Sequence, residues 1–557
     1  MRRSRKLTAM ILVLLLSLAF LASCGGSDDA AVTSDGASAN TPANTPANNP
    51  AETPANTPGT PIEIAPPPEP VPVPEDAKFA DSIELIINGG MNSIDILSPL
   101  SGGRPCSYIH LMIFDRLFQN DDDGNLVPML AKEYNTTDYK TFEFKLRDDV
   151  SFHNGDKLTA QRVVDAVEMA KDSPGVEAYD TWRVVETARA VDEYTVEMTL
   201  AAVDVDFLPS LAISEASIFN AEAMKADPEN GPSIGTGLYR VKDIVHGDYV
   251  TVEKNESYWG EPAITQTVTV RFVADVAVRA MMMLNGEAQW SLDTSPEDLE
   301  RFRNNPDFYL YPLINNNVWY LSFNQTDPLM ADRDFRMAVA YAIDKEEITL
   351  ASVGADGGFA ETEGTLWAWA TPYRNHNIPM IQQDLNKAKE YLAASTYNGQ
   401  DAEIVVAIDF LVRGSEVILY ELGQVGINIT INQMDGPSMM AYSNPVNNQT
   451  QMMYSTFSPT LLPSYYRGFV GTGGGNNRAS YSNPTLDEMI AASPSITNPA
   501  EREAHFFKMQ EMVADDAPYL GIFWKISEFV CAKGFGGAKF SEDMRHDFRY
   551  VYQVLED

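Results

Sequence analysis

Apolar and polar positions alternate along this chain in two rhythms, and the rhythms take turns. A period of two marks strands, because successive side chains point to opposite faces. On that basis SIELIING (82–89) predicts a strand ending at Gly89–Gly90, and TFEFKLRDDV (141–150) predicts another. YTVEMTL, YVTVEK and TVTVRFV read the same way. A period near 3.6 marks helices. LTAQRVVDAVEMAKD (158–172) repeats its apolar residues at helical spacing, with Thr159 placed to cap the first turn. DRDFRMAVAYAIDKEEI (332–348) is read as one helix with Phe335, Val339, Ala342 and Ile343 on one face. AEIVVAID, followed by SEVILYELGQVGINITI with a stop at Gly426, reads as strand, helix, strand. Alternation of this kind predicts an α/β fold.

Two stretches break the rhythm. Arg2, Arg3, Arg5 and Lys6 precede an apolar run from Ala9 to Ala22 that is too short for a bilayer, which needs about 18 residues or more. Residues 1–23 are therefore expected to be a secretory signal. Leu21-Ala22-Ser23-Cys24 resembles the processing site of a bacterial lipoprotein, which implies acylation of Cys24 and anchoring to the outer face of the cell membrane. Residues 24–77 follow as a linker in which Thr-Pro-Ala-Asn repeats give way to PPPEPVPVP. Proline favours extended backbone and little here can be buried, so disorder is expected, with a reach of roughly 160 Å at about 3.1 Å per residue.

Charge narrows the partners. The formal net charge is −38, and loss of residues 1–23, with their four cations, moves it to −42. Such a surface repels nucleic acid. Cys106 and Cys531 allow one disulfide, with pairing left open. The six histidines are dispersed and none makes a metal motif, so neither metal nor cofactor is expected.

Several motifs look chemical and have simpler readings. GPSIG (231–235) fits a nucleophile elbow around Ser233, which would make the chain a serine hydrolase; a strand follows it rather than a helix, which favours a turn. GTGGG (471–475) lacks the lysine of a phosphate loop and reads as a flexible turn. MMML (281–284) reads as core packing, and DDDG (121–124) as a solvated turn rather than a calcium loop.

Blocks spread over residues 80–555 resemble the family 5 extracellular solute-binding proteins of bacterial ABC importers, the peptide- and nickel-binding class. They are IFDRLFQNDDDGNLVPMLAKEY, FEFKLRDDVSFHNGDKLTAQRVVDAVEMA, GTGLYRVKDIVHGDYVTVEKNESYWG, VWYLSFNQTDPLMADRDFRMAVAYAIDKEEI, YSNPTLDEMI and DDAPYLGIF. The resemblance implies a two-lobed clamp of the type II periplasmic-binding-protein kind. Its lobes would be discontinuous: 78–315 with 522–557, and 316–521. It also implies a non-enzymatic, monomeric binder of a peptide or small-molecule ligand, working with a membrane permease and a separate ATPase.

The resemblance places ligand contacts in four segments: Gly90, Met91 and Asn92; Trp319 and Tyr320; Trp367, Trp369 and Tyr373; and Ser455, Thr456, Asn477 and Arg478. Peptide binders of the family carry an aspartate near the Ser455–Thr456 position to meet the peptide's α-ammonium. No acid occurs between Gly436 and Tyr481. Either another segment supplies the acid, or the ligand has no such amino end. A peptide leads, an oligosaccharide or other small polar solute follows, and a ligand-sensing or adhesive surface protein on the same scaffold is the remaining alternative.

Overall fold

The computed structural model describes residues 77–555, apart from 92, 99–103, 122–123, 174–180, 293, 295 and 543. Cys24, the signal and nearly all of the linker lie outside the described residues, as does Asn92.

One sheet of 12 strands organises the molecule. Its spine is the 14-residue strand Tyr519–Ala532. The first half of that strand pairs antiparallel with Val318–Phe323, and the second half with Phe308–Ile314. Residues 308–323 therefore run beside 519–532 as one two-stranded ribbon, interrupted at Asn315–Asn317.

Each end of the ribbon enters a separate apolar core. One core draws on Ile83 to Leu292 and again on Phe529 to Val551. Two others draw on residues from Val318 to Trp524. Beyond the ribbon on the first side, Trp290–Ser291, Ser82–Ile87 and Thr267–Phe272 run parallel to one another. Tyr249–Lys254 and Tyr239–Val245 complete that edge as antiparallel strands. On the second side Met452–Phe457, Ala402–Val406 and Ile429–Gln433 are mutually parallel. A separate sheet of four strands, within residues 131–200, packs on the first core.

Most elements follow the periodicity. Thr159 caps Ala160–Lys171 by accepting from the Arg162 amide. The strand–helix–strand unit is present and parallel, and Gly426 ends its helix in the left-handed region at φ 91°. Two expectations need correction. The helix begins at Asp409 rather than near Ser415. The single helix read over 332–348 is two, Arg333–Ala342 and Lys345–Val353. Asp344 is the reason: its carboxylate accepts from the amides of Glu346 and Glu347 and starts a new helix in a new direction.

Candidate functional site: a cleft between opposed strand ends

Strand direction locates the site. Trp290–Ser291 runs antiparallel to the spine, so it, Ser82–Ile87 and Thr267–Phe272 all point their carboxyl ends toward the second core. Val318–Phe323 leaves the crossing, and Met452–Phe457 returns antiparallel to it, with Val318 opposite Phe457. The carboxyl ends of Met452–Phe457, Ala402–Val406 and Ile429–Gln433 therefore point back toward the first core. In open α/β sheets ligands bind in the crevice beyond the carboxyl ends. Here two such sets of ends oppose each other across the ribbon.

From the first side the crevice receives Gly89–Met91. Gly90 lies against Gly247, and the Met91 carbonyl accepts from the Gly247 amide at 3.2 Å. The Met91 side chain is buried in the core. From the second side come Trp319 and Thr456, which are cross-strand partners on one face. Trp319 is 4% exposed, stacks on Phe523 at 5.2 Å and meets Phe410 at 5.2 Å. Trp319 Nε1 and Thr456 Oγ1 are buried donors without a partner among the described residues. An unmet buried donor is costly, so both favour an incoming acceptor oxygen. Tyr320 and Ser455 pair on the opposite face, where Tyr320 packs on Phe469 and Tyr519.

The aromatic loop at 366–373 is mostly structure. Trp367 is fully buried and donates from Nε1 to the Pro372 carbonyl at 2.7 Å. Tyr373, at φ 70°, stacks on Phe506. Trp369 remains partly exposed between Phe359 and Trp524. A buried ion cluster fixes this loop to the spine. Arg374 Nη2 lies 2.6 Å from both Glu361 and Glu363, and Glu361 accepts from Trp524 Nε1 at 2.9 Å. Burial raises the Glu361 carboxyl; at Glu363 burial also acts upward, but Arg374 together with hydrogen bonds to His376 and Glu361 holds it at about 2.

Asn477 and Arg478 stand elsewhere. Ala479, the next residue, bonds the Gln325 amide and the Tyr519 hydroxyl, at the end of the sheet away from the crossing. Asn477 donates to the Gly471 and Tyr481 carbonyls and accepts from the Tyr481 amide, so its amide closes the glycine-rich turn. Arg478 donates to the Ser443 carbonyl at 3.0 Å and reaches Met440 Sδ at 3.9 Å. The topology thus separates these two from Trp319 and Thr456.

The sequence reading missed Asp409 and Phe410. Asp409 opens the 17-residue helix three residues beyond Val406, at the carboxyl end of its strand, and is exposed. Its carboxylate accepts from Gln433 Nε2 at 3.1 Å. Asp435 occupies the equivalent place after Gln433 and caps the next helix. Asp409 follows the apolar strand run Ala402–Val406, and that was the available signal; the strand before Asp435 alternates instead.

The elbow motif resolves as a turn, while MMML ends the helix Val276–Leu284 with Met283 buried in the core and Met281 on the surface, so only part of that run is core. Ser233 donates to the Asn230 carbonyl at 2.7 Å, and the chain then enters a strand. A Cβ on Gly235 or Gly237 would come within 2.0 or 2.4 Å of Ile113 backbone atoms, which explains the glycines there. His153 accepts from the Gly235 amide and faces the Gly237 carbonyl; burial lowers its pKa and keeps it neutral. Cys106 and Cys531 form no disulfide. Among the described residues no acid, histidine or cysteine group would hold a metal, and no helix is long and apolar enough to cross a membrane.

Two sets of strand ends facing each other across a two-stranded ribbon define a solute clamp of the type II periplasmic-binding-protein fold. The chain belongs to the bacterial extracellular solute-binding proteins, family 5, whose model matches residues 125–477. It is 22% identical over 476 residues to the oligopeptide-binding protein AppA of Bacillus subtilis, covering 80% of this chain and 86% of that protein. It is 24% identical over 456 residues to the nickel-binding periplasmic protein of Escherichia coli, covering 76% and 85%. The structure of the ABC transporter substrate binding protein CtaP from Listeria monocytogenes aligns with a TM-score of 0.76 at 22% identity, covering 86% of this chain and 100% of that one.

Proposed function

We propose that this protein is the substrate-binding lipoprotein of an ABC importer, and that it captures a peptide between its lobes. It delivers the peptide to a membrane permease driven by a separate ATPase, and it catalyses no reaction itself. It acts as a monomer outside the cytoplasmic membrane, tethered through Cys24 and the 24–77 linker. The lobes are 78–315 with 522–557, and 316–521. The observation that carries this reading is the opposition of parallel strand ends across one two-stranded ribbon, in a chain of this family.

Peptide is favoured by the unmet donors Trp319 Nε1 and Thr456 Oγ1, which suit backbone carbonyls. Asp409 takes the part of the acid missing near Ser455. It is exposed at the same strand-end level, and a carboxylate there meets an α-ammonium without being buried alone. Gly90, Asn92 and Trp369 complete the contacts.

A thermal-shift series with di- to decapeptides, each with a free or an acetylated amino end, tests this. A ligand at a hundred times Kd stabilises the folded state by about 2.7 kcal/mol. Free-ended peptides should raise the melting temperature, and Asp409→Asn should abolish their advantage over acetylated ones. Shifts with oligosaccharides and none with peptides would refute the peptide reading while leaving the clamp.

A further inference from the structure

The crossing ribbon is not the sole link between the cores. Asp206 precedes Phe207 and Leu208, which are buried in the first core. Arg502 lies on Pro499–Asp516, whose Phe506, Met509 and Val513 are buried in the third. Arg502 Nη2 reaches both Asp206 carboxylate oxygens, at 2.7 and 2.6 Å. The arginine is only 4% exposed. Its other terminal nitrogen donates to the Ser493 carbonyl and so shapes the turn at Ser493–Ser495. That turn makes two more links: the Val205 amide donates to the Pro494 carbonyl at 3.0 Å, and Ser495 Oγ to the Val203 carbonyl at 3.4 Å. Phe506 lies under the guanidinium at 4.9 Å. One side chain therefore builds a docking patch at residues far from both ribbon strands in sequence.

We propose that the Asp206–Arg502 pair is a latch that holds the two lobes together without ligand. This rests on reading the chain as a two-lobed clamp. A ligand moves a two-state equilibrium only by its differential affinity for the two states. A charged, desolvated contact present only when the lobes meet biases that equilibrium before any ligand arrives. The contact also narrows the closed register, because one terminal nitrogen must reach both Asp206 oxygens while the other stays on the Ser493 carbonyl.

Single-molecule energy transfer on the full chain tests the latch without ligand. Dyes are attached through keto amino acids at two exposed sites: Thr187, cross-strand from Thr199, and Glu488, on the helix Pro484–Ala492 that leads into the Ser493–Ser495 turn. The unaltered pair should give one narrow distance. Arg502→Ala, and independently the nearly isosteric Asp206→Asn, should each add a longer-distance population. Asp206→Arg combined with Arg502→Asp should remove it. A distance unchanged in both single variants overturns the latch, and Asp206→Asn decides the matter if Arg502→Ala fails to fold. Because no ligand is used, failure here leaves the peptide thermal-shift result, and with it the transport reading, to stand or fall separately.

Discussion

At the scale of single residues, the chain separates polar groups that are satisfied from polar groups that wait. Asn477 is satisfied: its amide makes bonds to Gly471 and Tyr481 inside a buried turn. Asn477→Ala leaves carbonyls unpaired, so we expect a loss of about 2–3 kcal/mol in urea denaturation, with peptide affinity unchanged because the turn lies at the far end of the sheet. Thr456 waits. Thr456→Val removes a buried hydroxyl without a partner and keeps the shape. Stability should hold or rise, while peptide affinity falls by roughly tenfold, the equivalent of about 1.4 kcal/mol. Titration calorimetry beside a denaturation curve separates the two effects; equal affinity in the variant would remove Thr456 from the site.

Between elements, one carboxyl joins two helices. Glu421, on the Asp409–Val425 helix, accepts from the Asp344 amide at 2.9 Å and from Gln383 Nε2 at 3.3 Å. Burial pushes its pKa up to about 7. A carboxyl whose folded pKa is raised binds its proton more tightly in the folded state. Its contribution is fully present below the ordinary value of 4.5 and is lost as pH climbs to about 7. The loss is on the order of 3 kcal/mol at most. Glu421→Gln keeps an acceptor and carries no charge, so its stability should be flat across that window; a parallel decline in both proteins would exclude Glu421 as the cause. Asp344→Ala tests the break between the two helices it divides. Loss of the cap should cost about 1 kcal/mol, measured by thermal unfolding.

Across the whole molecule, a few buried charges hold distant segments in register. Arg374 answers two carboxylates, Glu361 and Glu363, and so fixes the Trp367–Trp369 loop to the spine strand through Trp524. Arg374→Met takes the arginine cation from two carboxylates that stay largely buried, and removing one partner of a buried ion pair typically costs about 3–5 kcal/mol. The expected result is a large fall in melting temperature that Glu361→Gln with Glu363→Gln partly reverses. A variant as stable as the parent would mean that water reaches the carboxylates.

Much of this was readable in local pattern. The period of two found the strands at 82–87, 141–146 and 267–272, and the Gly426 stop found the end of a helix, because these are decided within a few residues by side-chain alternation and backbone strain. The family-like blocks were equally local, and the match over 125–477 bears out the family on those that lie within it. Asp344 shows the limit at short range: an apolar face ran through it, yet its capping bonds won.

Placement was decided only by tertiary structure. Ser455, Thr456, Asn477 and Arg478 are near in sequence, but strand direction puts Thr456 at the crevice and Asn477 at the opposite end. Asp409 gains its meaning from the parallel register of three strands, and Arg502 from a partner 296 residues away. Periodicity records which face of an element is buried. It carries no record of which way a strand runs in its sheet or which distant segment lies beside it, since those are settled by the pairing of whole elements around a shared core.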